Sequence, residues 1–226
     1  MSERSKLWYL ENFNILEGLS ATEMMDVEAK TVMTSAKKGQ FIYFPEDPSK
    51  TIFFLKEGRV KIGNTSEDGR ENIKAILQPG EIFGELSLAG EGNREDFAQA
   101  LDSQVVICAM SVKDMEELME SNSAMGLKVT KLIGYRLKKL ERKLRSLIFK
   151  DARTRIVEFI HEMAEERGTK VGDETLIMHH LTHQDIANLT ASSRQTVTTV
   201  LNELRSANVI NFERKRILVR DLQKLK

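Results

Sequence analysis

Apolar positions change their period twice along this chain, and the changes mark off three kinds of structure. From about Lys38 to Met110, short apolar runs (Phe41 to Phe44, Ile52 to Leu55) and alternating sets (Val60, Ile62; Ile73, Ala75, Leu77) are separated by Gly39, Gly58, Asp68-Gly69 and Pro79-Gly80. Short strands of a sandwich or a barrel-like roll follow from that pattern. Asp68-Gly69 is its clearest hairpin tip, because an Asp-Gly pair accepts the positive φ of a tight turn. Ser111 with Asp114 then predicts a short helix through Met119, and Ser121 or Ser123 predicts the cap of a long one reaching about Phe149. Along the long helix Ile133, Leu137, Leu140, Leu144 and Leu147 follow a four-three-four-three spacing. A seam that narrow, bordered by Lys and Arg, fits a parallel two-helix coiled coil better than a helix lying on its own domain. It is short for a free-standing coil, so the neighbouring domain should help hold the pair.

The third pattern lies in Leu181 to Asn208, LTHQDIANLTASSRQTVTTVLNELRSAN. Ile186, Ala187 and Leu189 share one face of a short helix, while Val197, Val200, Leu201 and Leu204 repeat at the three-and-four spacing of a second. Between them Thr190-Ala191-Ser192-Ser193 is too polar and small to continue a core. Ser192 with Gln195 reads as a capping box, which starts the second helix near Ser193. The outward face of that start carries Arg194, Gln195, Thr198 and Thr199. A helix-turn-helix points this end into the major groove, where Arg pairs with guanine, Gln with adenine, and a Thr methyl touches thymine. A helical hairpin with a solvated polar face has the same spacing. The segment after the second helix favours DNA: VINFERKRILVRD places two apolar runs around Glu213-Arg214-Lys215-Arg216, a hairpin with a basic tip that would stand beside phosphates as a wing. The tip has no Gly, so its loop is expected to exceed two residues.

Charge sharpens the division. The 226 residues carry 34 basic and 34 acidic side chains, but the balance is −9 over residues 1–126, +8 over 127–150 and +1 over 151–226. From Ser192 to Arg220 it is +4, so phosphate attraction is available where base reading is expected, and the acidic front would repel DNA. With 41% hydrophobic residues the chain can bury a core in one or two domains. The start, MSERSKLWYLENFNIL, has no apolar stretch long enough for a signal sequence or a membrane span, and the single cysteine, Cys108, excludes an internal disulfide. A cytoplasmic protein without a membrane partner is expected, with Cys108 in VVICAM as a small core residue.

An acidic roll, a seam helix and a winged helix-turn-helix, in that order and length, resemble the Crp/Fnr family of bacterial transcription regulators over nearly the whole chain. The specific marks are IFGELSL (Ile82 to Leu88), the Phe-Gly-Glu-Leu core of the family's cyclic-nucleotide-binding roll; Lys150 to Ile156, where the family hinges; and Ser193-Arg194-Gln195-Thr196-Val197, resembling its recognition helix. The resemblance implies an α+β architecture: a double-stranded β-helix roll as sensor (1–120), a dimerisation helix (121–150) and a winged helix-turn-helix (151–226). It implies a homodimer on an inverted repeat in double-stranded DNA, contacting RNA polymerase when it activates. DNA contacts are expected from Ser193, Arg194, Gln195, Thr198, Thr199, Arg214, Lys215 and Arg216, and dimer contacts from Ile133, Leu137, Leu140, Leu144 and Leu147.

The effector pocket, expected around Gly84, Glu85, Leu86 and Arg94, departs from the family's pattern. Members that bind cyclic AMP follow Phe-Gly-Glu-Leu with Arg-Ser-Ala or Arg-Thr-Ala, the Arg meeting the phosphate and the Glu the ribose. A gapless continuation here puts Glu95-Asp96-Phe97 at that place, and Leu140-Glu141 where the purine-binding Thr-Ser belongs. Two carboxylates would repel a phosphodiester, so independence of cyclic AMP is expected. The alternative is a cyclic-nucleotide-responsive regulator in which a one-residue slip lets Arg94 act with Glu85.

Other chemistries fare worse on the residues. A metal-dependent cupin enzyme, or a haem sensor, would need histidines on the roll, and all four (His161, His179, His180, His183) lie outside it. One cysteine cannot hold an iron-sulfur cluster. His179, His180 and His183 lack Cys or acidic partners at zinc-site spacing and read as a polar approach to a helix. No enzyme activity, metal or cofactor is expected. A nucleotide-sensing module without DNA binding is opposed by the Arg194 helix and the basic wing.

Overall fold

Ser20 takes the amide of Glu23 while the Glu23 carboxylate takes the Ser20 amide at 2.7 Å, and this reciprocal cap opens helix α1 (Ala21–Lys30). The computed structural model describes residues 13, 15–69, 71–90, 92–179, 181–213 and 215–225. Strands begin earlier than the expected Lys38: β1 (Thr31–Ala36) pairs antiparallel with β8 (Val105–Ser111). Only Thr31 and Ala36 of β1 are buried, so it never shows the alternation by which a half-buried strand is recognised. Between them run β2 (Phe41–Tyr43), β3 (Thr51–Glu57), β4 (Val60–Thr65), β5 (Glu71–Leu77), β6 (Ile82–Phe83) and β7 (Phe97–Ala100). They form two four-stranded sheets, β1-β8-β3-β6 and β2-β7-β4-β5. Gly69, at φ +78°, turns β4 into β5 as the Asp-Gly signal requires.

Apolar runs that leave the face of each strand undetermined in sequence are explained by burial: Ile52 to Leu55 are all buried because both faces of β3 are covered, Ile52 and Phe54 packing into one core cluster and Phe53 and Leu55 into another. Rings of Phe53 and Phe83 stack at 4.9 Å and Tyr43 joins them at 5.8 Å from Phe53. Burying a side chain such as Phe54 completely contributes roughly 1.5–3 kcal/mol. Cys108 is fully buried in the same core cluster as Phe54 and Met110.

Ser111 caps α2 (Val112–Ser121) through the Asp114 amide at 3.0 Å, as its sequence predicts. The long helix α3 (Ser123–Phe149) is capped by neither Ser121 nor Ser123. Ser121 spends its hydroxyl on the Leu118 carbonyl, and Asn122, out of helical geometry at φ −131°, takes the Met125 amide on its Oδ1 at 3.1 Å. Met125 and Val129 enter a core cluster with Phe13, Phe54 and Met110. Further along, the seam residues Ile133, Leu137, Leu140, Leu144 and Leu147 are 38–63% exposed.

The chain divides into two compact units between Leu137 and Lys138. In the second unit Asp151 caps α4 (Ala152–Arg167) through the Thr154 amide at 2.8 Å. Then come β9 (Thr169–Val171), β10 (Glu174–Met178), α5 (His183–Thr190), α6 (Arg194–Ser206), β11 (Ile210–Glu213) and β12 (Arg216–Val219). The sheet order is β11-β12-β10-β9, and α4, α5 and α6 close one core with it through Ile156, Ile160, Ile186, Val197, Leu201 and Ile217. This is a winged helix-turn-helix. Among the described residues no helix is long and apolar enough to cross a membrane.

Candidate nucleic-acid interface and effector pocket

Helix α5 is held at both ends. Thr182 and Asp185 form a reciprocal cap at its start, and at its end Ala191 takes a left-handed conformation, φ +48°, that costs a non-glycine residue about 1 kcal/mol or more. Arg155 of α4 compensates by donating to three carbonyls: Thr190 and Ala191 at 2.8 Å each and Lys150 at 2.7 Å. The turn of the helix pair is thus tied to the end of α3. Arg155 lies in the stretch expected to hinge, but its three acceptors are backbone carbonyls, which leave no sequence signal.

The cap of α6 is Ser193, not Ser192. Ser193 accepts the Thr196 amide at 3.0 Å, whereas the Ser192 hydroxyl lies 2.8 Å from that of Thr190 and is used inside the turn. Gln195 therefore makes no capping box and is exposed. Val197, Val200, Leu201 and Leu204 are buried, as the spacing predicts. That leaves Ser193, Arg194, Gln195 and Thr199 exposed around the first turns, with Thr198 half-buried beside them.

The hairpin after α6 is tighter than expected. Glu213 pairs with Arg216, so the connection is two residues, and Lys215 takes the left-handed conformation, φ +71°, that Gly would adopt most easily. The His179 amide donates to the Lys215 carbonyl at 2.8 Å and holds it there. Arg214 and His180 lie outside the described residues. Lys215 is exposed, but Arg216 donates to Glu213 at 2.9 Å, and Arg220 approaches Glu174 at 3.9 Å. Among the described basic residues of the segment, Arg194, Arg205 and Lys215 are exposed and have no acidic partner among the described residues, Arg205 donating instead to Asn202 Oδ1 at 2.9 Å. Two of the three clustered histidines have protein partners: His179 Nδ1 accepts the Leu181 amide and His183 Nδ1 meets the Thr198 hydroxyl.

In the roll, Gly84 at φ +76° lies so close to Arg94 that a Cβ would come within 2.8 Å of its Nη1 and equally near the Thr51 carbonyl. Arg94 is 6% exposed, its guanidinium 4.2 Å from the Tyr43 ring centroid and bonded to the Thr51 carbonyl. Glu85, 5% exposed, is ion-paired to Arg136 of α3, which also donates to the Ile82 carbonyl. Leu86, in contrast, is 65% exposed and stands apart from these inward groups.

This corrects the gapless reading. Arg94, not Glu95, turns in beneath Gly84, because Pro48 bridges to Asn93 and the Arg94 amide is fixed on the Asp47 carbonyl at 2.9 Å. Glu95 is exposed, and Asp96 accepts from Tyr43 at 3.2 Å and Lys74 at 3.0 Å, so neither is an uncompensated charge in the pocket. Burial, with Asp96 alongside, pushes the Tyr43 hydroxyl far up, and it stays a donor at neutral pH.

Two family models match the chain: a cyclic nucleotide-binding domain over residues 33–122 and a Crp-like helix-turn-helix domain over 154–226. The chain is 30% identical over 190 residues to the global nitrogen regulator of a Nostoc species, covering 83% of this chain and 85% of that protein. It is 26% identical over 216 residues to a CRP-like cAMP-activated global transcriptional regulator of Mycobacterium tuberculosis, covering 96% of each. Among solved structures, a CooA mutant from Carboxydothermus hydrogenoformans matches with a TM-score of 0.80 at 26% identity, over 100% of this chain and 96% of that one.

Proposed function

The chain belongs to the Crp/Fnr family of transcription regulators, and on that premise we propose that it acts as a homodimer, joined along the α3 seam, reading an inverted repeat in double-stranded DNA. Its relatives are transcription regulators, and DNA binding through the helix-turn-helix is the activity it shares with them. The observation that carries the reading is the exposed start of α6, with Arg194, Gln195 and Thr199 around it, standing beside a wing whose tip presents Lys215. Ser193, Arg194, Gln195, Thr198 and Thr199 face base edges; Arg214, Lys215 and Arg216 serve phosphates, Arg216 with its charge shared by Glu213. Half-sites stand about one helical turn, roughly 34 Å, apart. RNA polymerase is the further partner at promoters the protein activates.

Genome-wide mapping of bound DNA, followed by anisotropy titration of the purified chain on the recovered motif, tests this. A motif without two-fold symmetry, or no preference over random duplex, defeats it. Lys215→Ala separates phosphate from base contacts: affinity should fall alike on every sequence, and the slope of log K against log salt should flatten by about 1. A change in base preference would remove Lys215 from the backbone.

For the effector, the reading is operator binding that does not require cyclic AMP. Glu85 is already held by Arg136 and Arg94 by Thr51 and Tyr43, while Leu140-Glu141 replaces the expected purine contacts. Relatives named for cAMP activation and for nitrogen control show that membership alone does not choose an effector. The burial of Arg94 beneath Gly84 beside Glu85 favours a second reading, in which a cyclic nucleotide takes both groups. Calorimetry with cyclic AMP and cyclic GMP, and operator titration with and without each, decides between them. No heat and no change in operator affinity is the expected result; micromolar binding that strengthens operator affinity and is lost in Arg94→Ala establishes the second reading instead.

A further inference from the structure

One hydroxyl on α6 carries two hydrogen bonds whose directions can be assigned. Thr198 Oγ1 lies 3.0 Å from the Arg194 carbonyl, one turn back, and 2.9 Å from His183 Nδ1 on α5. A carbonyl only accepts, so the hydroxyl hydrogen goes to Arg194. The contact with His183 must then run from Nδ1–H to Oγ1, which fixes the histidine tautomer. Burial, with the Arg194 charge nearby, holds the His183 pKa below the usual imidazole value, leaving a neutral ring with Nε2 unprotonated at neutral pH. The same ring packs edge-on against Phe212 of β11 at 6.0 Å, so it is braced from the wing as well.

A threonine in a helix otherwise divides between two rotamers, because its hydroxyl can reach backward in either. Here the second bond selects one. We propose that His183 is a positioning residue for DNA reading: it holds the Thr198 hydroxyl inward so that the side chain offers its methyl, and with it a preference for thymine, to the major groove. The inference rests on α6 being the helix that reads bases, and Arg194→Ala serves as the control on that premise.

The test is selection of binding sites from a randomised duplex pool by the purified full chain at fixed salt, with thermal unfolding of each variant alongside. His183→Ala should lower thymine preference at one position per half-site by about fourfold, the ratio expected for burying one methyl group, and leave the remaining positions as they were. His183→Asn, whose amide NH₂ falls near the Nδ1 position, should restore it. Thr198→Ser, which keeps the hydroxyl and drops the methyl, should lose the same preference with His183 intact. Thr198→Val presents methyl groups in any rotamer, so adding His183→Ala to it should change nothing further. A wild-type motif from His183→Ala, or a uniform loss of affinity with base preference retained, overturns the proposal. If Arg194→Ala also selects the wild-type motif, the assignment of α6 itself has failed.

Discussion

Leu140→Asp should yield a folded monomer that no longer holds its operator. Leu140 is 63% exposed on α3, and its seam neighbours Leu137 and Leu144 are 56% and 57% exposed, so the single chain has little to lose from the substitution. Across a two-fold axis the outcome differs, because each Leu140 packs against its own copy and the change places two carboxylates face to face in a dry seam. An unpaired buried carboxylate costs several kcal/mol, comparable to what a seam this short supplies. Operator binding falls with it, since a monomer forfeits the second half-site and the roughly 10²–10⁴-fold gain that linking two sites confers. Sedimentation and operator titration on the same preparation check both parts. A dimer of unchanged stability would move the interface off this seam, and Leu140→Met, similar in volume and apolar, should leave the dimer intact.

Features legible in the sequence are mostly local. Ser111 caps α2, Gly69 turns its hairpin, and the apolar positions of α6 are buried, each because a few consecutive residues decide the matter. The order of the three patterns, with a few family marks, then carries the architecture. Sequence reasoning fails where a distant partner decides. The slip that brings Arg94 under Gly84 is set by Asp47 and Pro48, more than forty positions earlier, and no alignment by spacing could contain that pairing. Lys215 turns without Gly because the His179 amide holds its carbonyl. Ser192 has the spacing of a cap, but its hydroxyl is occupied by Thr190.

The candidate site is less legible than the fold for a related reason. Spacing identifies which side chains of α6 point outward, and these are the ones exposed, with Thr198 half-covered. It says nothing of what holds the helix pair at its angle. Arg155 does so through three carbonyls, and His183 meets α6 through one hydroxyl; both act by contacts across elements. Net charge also does not say which basic side chains are available, since Arg216 is paired with Glu213 and Arg220 approaches Glu174, an acid outside the +4 segment.

Arg194→Ala is expected to cost about 1–3 kcal/mol per half-site on the best operator and to relax preference at one position in each. Arg194 is the first residue of α6, directly after the Ser193 cap, and its exposed side chain takes no part in the core, so the helix should persist in the variant. The loss belongs to base recognition because a guanidinium pairs bidentately with guanine, a geometry neither Lys nor water reproduces. Arg194→Lys should accordingly recover the salt dependence without recovering the guanine preference. A second consequence can be read without DNA: Arg194 is one of the two causes holding the His183 pKa down, burial being the larger. Removing it should raise the His183 midpoint part of the way back to the usual imidazole value, measurable by proton NMR titration of the free protein. If operator affinity and base preference are both unchanged while the His183 midpoint rises, the side chains sit where they are described and the reading end of the domain is elsewhere.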